Sequence, residues 1–104
     1  MVAVLVQFGL SSSYTPEKAR EVFADTATKF LGMAGLIRKY FLLSDDGASA
    51  ASVYLWETRG PAESFFTEGW KDFMAAKYGH RPSVTYFECP VVVDNLAGEI
   101  IKEG

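Results

Sequence analysis

Few side chains in this sequence are placed to do chemistry, and they fall into three sets. The first is His80, the only histidine among 104 residues. Histidine is the side-chain type whose ordinary pKa lies near neutrality, so His80 is a candidate general base, or a donor to a developing oxyanion. The plainer reading is a solvent-facing loop histidine, and Gly79-His80-Arg81-Pro82 has loop composition. The second is Arg38, a charge inside the apolar run Leu36–Leu43, able to grip a carboxylate or phenolate with two hydrogen bonds. Its rival role is an inter-strand ion pair or an exposed position with a packed stem, and Lys39 follows it directly. The third set is aromatic. Tyr54 and Trp56 lie two residues apart in an extended run and share a strand face. With Tyr40 and Tyr86 they would stack a planar ring and bind its oxygens, or simply fill core and interface. Phe66, Trp70 and Phe73 belong to a helical stripe that packs on a sheet and would wall any pocket beneath it.

Other candidates carry less. Glu57 and Glu88 sit on strands, but nothing in their spacing brings them together as an acid and base. Cys89, the single cysteine, precedes Pro90 and reads as a small buried hydrophobe rather than a nucleophile. One cysteine and one histidine exclude a disulfide within the chain and any multi-cysteine or multi-histidine metal centre. The nine glycines are scattered, without a phosphate-cradling run.

The elements that must position these residues follow from periodicity. Residues 2–9 are apolar at almost every position and predict a strand covered on both faces. Thr15-Pro16-Glu17 starts a helix with a hydroxyl cap, a proline and an acid. Ala19, Val22, Phe23, Ala27, Phe30 and Leu31 form its apolar stripe, and Gly32 stops it. Residues 35–43 and 50–57 predict two strands joined by the turn Ser44-Asp45-Asp46-Gly47. On alternation, Leu36, Arg38, Tyr40 and Leu42 share one face of the first of these strands, and Ile37, Lys39, Phe41 and Leu43 the other. A second helix runs from Arg59-Gly60-Pro61 to Tyr78-Gly79. Residues 83–93 form the last strand, with Pro90 placing a bulge or edge near its end. Asp94-Asn95 caps a short terminal helix through Ile100-Ile101.

The order is β-α-β-β-α-β, an α+β ferredoxin-like domain over 1–104: a four-stranded antiparallel sheet with two helices on one face. The strands are apolar on both faces, so the uncovered face needs a partner. A second copy using the same face predicts a homodimer, with 92–104 as a tail at its interface. Ten Lys+Arg against thirteen Asp+Glu give a net charge of −3 with no basic run, which disfavours nucleic acid. No apolar run approaches the roughly 18 residues of a membrane span, and residues 1–13 lack the basic start of a signal peptide. A soluble, cytoplasmic protein is expected. At 14% aromatic, the chain holds more ring surface than a small core needs, which suggests a pocket, an interface or both.

Several stretches carry a family likeness. Val53-Tyr54-Leu55-Trp56-Glu57 leads into the aromatic helix from Phe65-Phe66 to Trp70, then Tyr78-Gly79-His80-Arg81-Pro82. The run from Val84 to Asn95 follows. Taken together these resemble the mono-oxygenases of the dimeric α/β-barrel superfamily, whose broader relatives include the antibiotic-biosynthesis mono-oxygenases. The resemblance implies a ferredoxin-like protomer, a dimer whose sheets form a shared barrel, and a pocket between sheet and helices. It implies a cofactor-independent mono-oxygenase for a small planar aromatic or polyketide-like compound. His80 or Arg38 would move the proton or charge, and Tyr40, Tyr54, Trp56, Phe66, Trp70 and Tyr86 would bind substrate. An acid–base cyclase or isomerase, or a non-catalytic binder of a hydrophobic metabolite, fits the same scaffold. Heme-degrading members use a histidine on the second helix; Phe73–Tyr78 has none, and no metal or cofactor is expected.

Overall fold

A computed structural model describes residues 1–103. Strand β1 (Val2–Gly9) is followed by helix α1 (Pro16–Ala27), a single 3-10 turn (Thr28–Phe30), β2 (Leu36–Leu43) and β3 (Ser49–Trp56). Helices α2 (Arg59–Phe65) and α3 (Glu68–Tyr78), then strands β4 (Ser83–Glu88), β5 (Val91–Asp94) and β6 (Glu99–Lys102), complete the chain. Strands β1 to β4 form one antiparallel sheet in the order β2-β3-β1-β4, so the fold is ferredoxin-like as expected. No helix among the described residues is long and apolar enough to cross a membrane.

Local chemistry sets the helix ends. The Thr15 hydroxyl accepts from the Lys18 N–H at 3.1 Å and Pro16 holds the first helical position. The expected second helix is two helices. Phe66 leaves helical geometry, and the Thr67 hydroxyl caps a new helix by accepting from the Trp70 N–H at 3.1 Å. Thr67-Glu68 is a cap followed by an acid in the first turn, a start signal inside what reads as continuous helix. Gly79 ends α3 at φ +94°, where a Cβ would meet the Ser11 Cβ at 2.8 Å. The stripe holds through Phe30, which packs against the core from the 3-10 turn, but Leu31 lies beyond that turn and is 91% exposed.

The last third of the chain departs most from expectation. Pro90 interrupts the strand after Glu88, and β5 pairs with β6 rather than with the main sheet. The segment expected as a terminal helix is the strand β6 of this hairpin. Asp94 caps the turn instead of a helix: its carboxylate accepts from the Leu96 and Ala97 N–H groups at 3.0 and 3.1 Å.

Side-chain alternation divides the sheet. Val4, Val6, Tyr54 and Trp56 point beneath the helices and are fully buried, with Phe8, Phe23, Phe66, Met74 and Tyr78 around them. On β2 a bulge at Ile37 interrupts the ladder: Leu36 pairs with Trp56 and Arg38 with Leu55. Leu36 therefore faces the helices with Lys39, Phe41 and Leu43, whereas Arg38, Tyr40 and Leu42 face away. The expected grouping of Leu36 with Arg38 is corrected by that one extra residue. The outer face of the sheet has no helix over it and carries Tyr40, Leu42 and Phe87 exposed.

Candidate active site

Between α1, α3 and the sheet lies a cavity of about 200 Å³. Rings from every wall meet there: Phe8, Phe23, Phe30, Phe41, Tyr54 and Phe73. A cavity of roughly 150 Å³ with apolar walls is enough to hold benzene, so this one has room for one or two fused rings. Phe30 joins its walls, packed edge-on against Phe41, Tyr54 and Phe65 with centroids 5.8–6.0 Å apart. Ser52 and Tyr54, two residues apart on β3, bring hydroxyls to the wall, and among the described residues neither makes a hydrogen bond. Burial pushes the Tyr54 phenol up, so it stays protonated and available as a donor.

The polar centre of this cavity is Lys39. Its Nζ lies 3.6 Å from the centroid of Phe30, 3.8 Å from Phe41 and 4.5 Å from Tyr54. No carboxylate is paired with it among the described residues. Burial, and secondarily the charge of Lys77, push its amine down to about 7. The ring faces favour the ammonium form and oppose that fall. The outcome is an amine able to hold or release a proton near neutral pH, inside an aromatic pocket. Lys77 stands opposite on α3, its Nζ donating to the Thr26 hydroxyl at 3.0 Å.

Of the residues expected from sequence to form or wall the site, Tyr54 and Phe73 reach this cavity. Trp56 stacks parallel to Tyr54 with centroids 6.1 Å apart and is buried in the core, where its indole N–H has no partner among the described residues. Phe66 is buried beside it, and Trp70 packs against Phe65 and Phe66. Tyr86 faces the helices but sits under the Arg59 guanidinium, 4.5 Å from its ring centroid. Arg38 and Tyr40 are on the outer face, bonded to each other at 3.2 Å, with Asp94 at 3.6 Å from the guanidinium.

His80 is exposed in the α3–β4 loop, its ring laid over Gly9, where a Cβ would come within 3.1 Å. It borders a wide groove of about 640 Å³ at the end of the sheet, open to water, with Ser44, Ser49 and Ser83 on its walls. Neighbouring Arg81 is committed to Glu68 and Asp72. The structure thus separates His80, at the end of the sheet, and the outer-face pair Arg38 and Tyr40 from the aromatic cavity. Glu57 and Glu88 are exposed, and Cys89 is half-buried rather than buried. Among the described residues no three His, Cys, Asp or Glu side chains are grouped to hold a metal.

The residue that sequence reasoning missed is Lys39. The signal was present: a lysine between apolar neighbours on the strand face opposite Arg38. The register of the β2–β3 hairpin decides which of the two basic residues lies beneath the helices: Lys39 is paired with the inward Tyr54 and Arg38 with the outward Leu55.

Comparison with solved structures gives the same architecture. A protein of Deinococcus radiodurans described as a "putative antibiotic biosynthesis monooxygenase" aligns over 90% of this chain and 97% of its own, with TM-score 0.69 and 11% identity. SnoaB, a cofactor-independent oxygenase from Streptomyces nogalater, aligns over 85% of this chain and 91% of its own, with TM-score 0.61 and 20% identity. This chain has the fold of these oxygenases. No family model matches it, and no curated protein matches it by sequence. At such identities the likeness is one of fold, and what the cavity does must be argued from its own residues.

Proposed function

We propose that this chain is a cofactor-independent mono-oxygenase that oxidises a small planar phenolic compound in the aromatic cavity, with Lys39 as its base. The observation that carries this is the Lys39 amine, held near neutrality among three ring faces with no carboxylate beside it. Removing the phenolic proton of an electron-rich substrate places carbanion character on a ring carbon, which can then react with O₂. The electrons balance within the substrate: the ring C–H, which is CH₂ in the keto form of the phenol, becomes C=O, so that the phenol ends as a quinone; one oxygen atom of O₂ enters the product, and the other leaves as water with the two hydrogens lost. Tyr54 and Ser52 would donate to the substrate oxygens, and the rings keep water from the carbanion. The fold shared with SnoaB, described as a cofactor-independent oxygenase, supports the reading.

Oxygen-electrode traces with hydroxynaphthalenes and larger phenolic ketones test it. Uptake is expected with at least one, falling by about a hundredfold or more in Lys39→Met, the range for a lost general base. His80→Ala should change it less than twofold. Substrate turnover without oxygen uptake would favour the cyclase or isomerase role; binding without turnover would favour a carrier.

The outer face of the sheet is read as a homodimer contact. Tyr40, Leu42 and Phe87 are exposed there, and the hairpin β5–β6 adds Val91, Val93, Ile100 and Ile101. A second copy placing the same face against this one would cover both sets at once.

A further inference from the structure

The charge around the cavity has one sign. Lys29, Lys39 and Lys77 line it from the 3-10 turn, β2 and α3, and no Asp or Glu does, in a chain whose net charge is −3. The other titratable groups on the wall are Tyr54 and Tyr78, both pushed up by burial and so neutral. Lys77 Nζ lies 5.2 Å from the Tyr78 ring centroid and 5.9 Å from that of Phe73, as Lys39 lies over Phe30 and Phe41. None of the three lysines has an ion-pair partner among the described residues. Each of the two inner amines is pushed down by burial, and then by its neighbour: Lys39 by Lys77, and Lys77 by Lys29. Like charges with no counter-ion, half out of water, are a standing cost to the free protein, and an anion among them would offset it.

We infer that the cavity takes an aromatic anion: a compound of one or two fused rings, carrying at its edge, apart from the phenol that reacts, a carboxylate that lies between Lys39 and Lys77. This names the substrate class of the proposed active site and rests on reading that cavity as the substrate site. The rings supply stacking surface and the lysines select the ionised edge, with Ser52 and Tyr54 left to bind a second oxygen.

Calorimetric titration of the full chain with 2-naphthoate, 2-naphthol and 2-naphthylmethylamine tests the inference. Naphthoate should bind about tenfold or more tighter than naphthol, as expected for charge-assisted over neutral hydrogen bonds, and the ammonium compound weakest of all. Naphthoate is ionised throughout pH 6–9, so a fall in its affinity above pH 7, with proton uptake on binding at pH 8, would report protonation of Lys39. Lys39→Met and Lys77→Met should each abolish most of the preference, and the remote Lys18→Met should not. Equal affinities for naphthoate and naphthol, or a preference that survives both cavity substitutions, would overturn the inference. Oxygen uptake recorded on the same samples keeps the two readings apart. Lysine-dependent naphthoate binding with no phenol oxidised leaves the anion site and removes the oxygenase. Uptake with neutral phenols and no preference for the anion does the reverse.

Discussion

Replacing Lys39 by methionine should make the protein more stable, and the gain should depend on pH in a defined direction. The folded chain holds this amine at about 7 against 10.5 for the free side chain. Each tenfold change in acidity is worth about 1.4 kcal/mol, so the fall amounts to roughly 5 kcal/mol, of which the three ring faces return about 1–2 kcal/mol. Between the two values the unfolded chain binds a proton that the folded chain has released. Raising the pH therefore favours the folded form, and the penalty is complete only below the folded value. Methionine fills a similar volume with no charge to desolvate. Lys39→Met should exceed the wild type by about 3 kcal/mol at pH 6.5 and by about 1 kcal/mol at pH 9.5. Urea unfolding followed by tryptophan fluorescence at half-unit pH steps up to 9.5 measures both chains, and the tyrosine ionisation that begins there is common to the two. Parallel stability curves for the two proteins would refute the reasoning, because they would mean the amine is as well hydrated folded as unfolded.

Three more outcomes follow from the same geometry. Gly79→Ala should cost about 1–3 kcal/mol in chemical unfolding, since φ is +94° and the new methyl group meets the Ser11 Cβ. Phe87→Glu, on the exposed outer face, should shift sedimentation towards a monomer while the far-ultraviolet dichroism of the protomer is kept; an unchanged dimer would place the contact elsewhere. Arg38→Ala removes bonds to Tyr40 and Asp94 on that same face, so oxygen uptake per folded chain should fall less than threefold if the cavity alone carries chemistry.

The fold was legible because its signals are local and redundant. The Thr15-Pro16-Glu17 start, the Asp-Gly turn and the apolar runs of β1 and β3 each specify an element without help from the rest. The terminal hairpin was not, because Asp94-Asn95 caps a turn as readily as a helix, and four residues of Glu99–Lys102 carry too few positions to show a period. The site was legible in composition and illegible in place. Trp56, Phe66 and Trp70 are aromatic for the core's sake, and nothing in their spacing separates packing from lining. Tyr40 and Tyr54 fall on opposite faces because the hairpin register pairs Tyr40 with Val53 and Tyr54 with Lys39, which alternation within either strand alone does not fix. Histidine is the side-chain type that suggests a base near neutrality, whereas the group tuned towards neutrality here is a lysine, altered by burial that only three-dimensional contacts supply.

The bulge at Ile37 also says how this chain tolerates changes in length. The extra residue lies between Leu36, which faces the helices, and Arg38, which does not. Deleting Ile37 would restore simple alternation while leaving Leu36, Lys39 and Phe41 inward and Arg38 and Tyr40 outward. An insertion at the same point would instead be absorbed as a longer kink. Position 37 is thus a seam where a descendant or a designer can add or drop a residue without turning the strand over. When distant sequences are aligned across β2, a single gap there decides whether the lysine or the arginine is matched to the cavity.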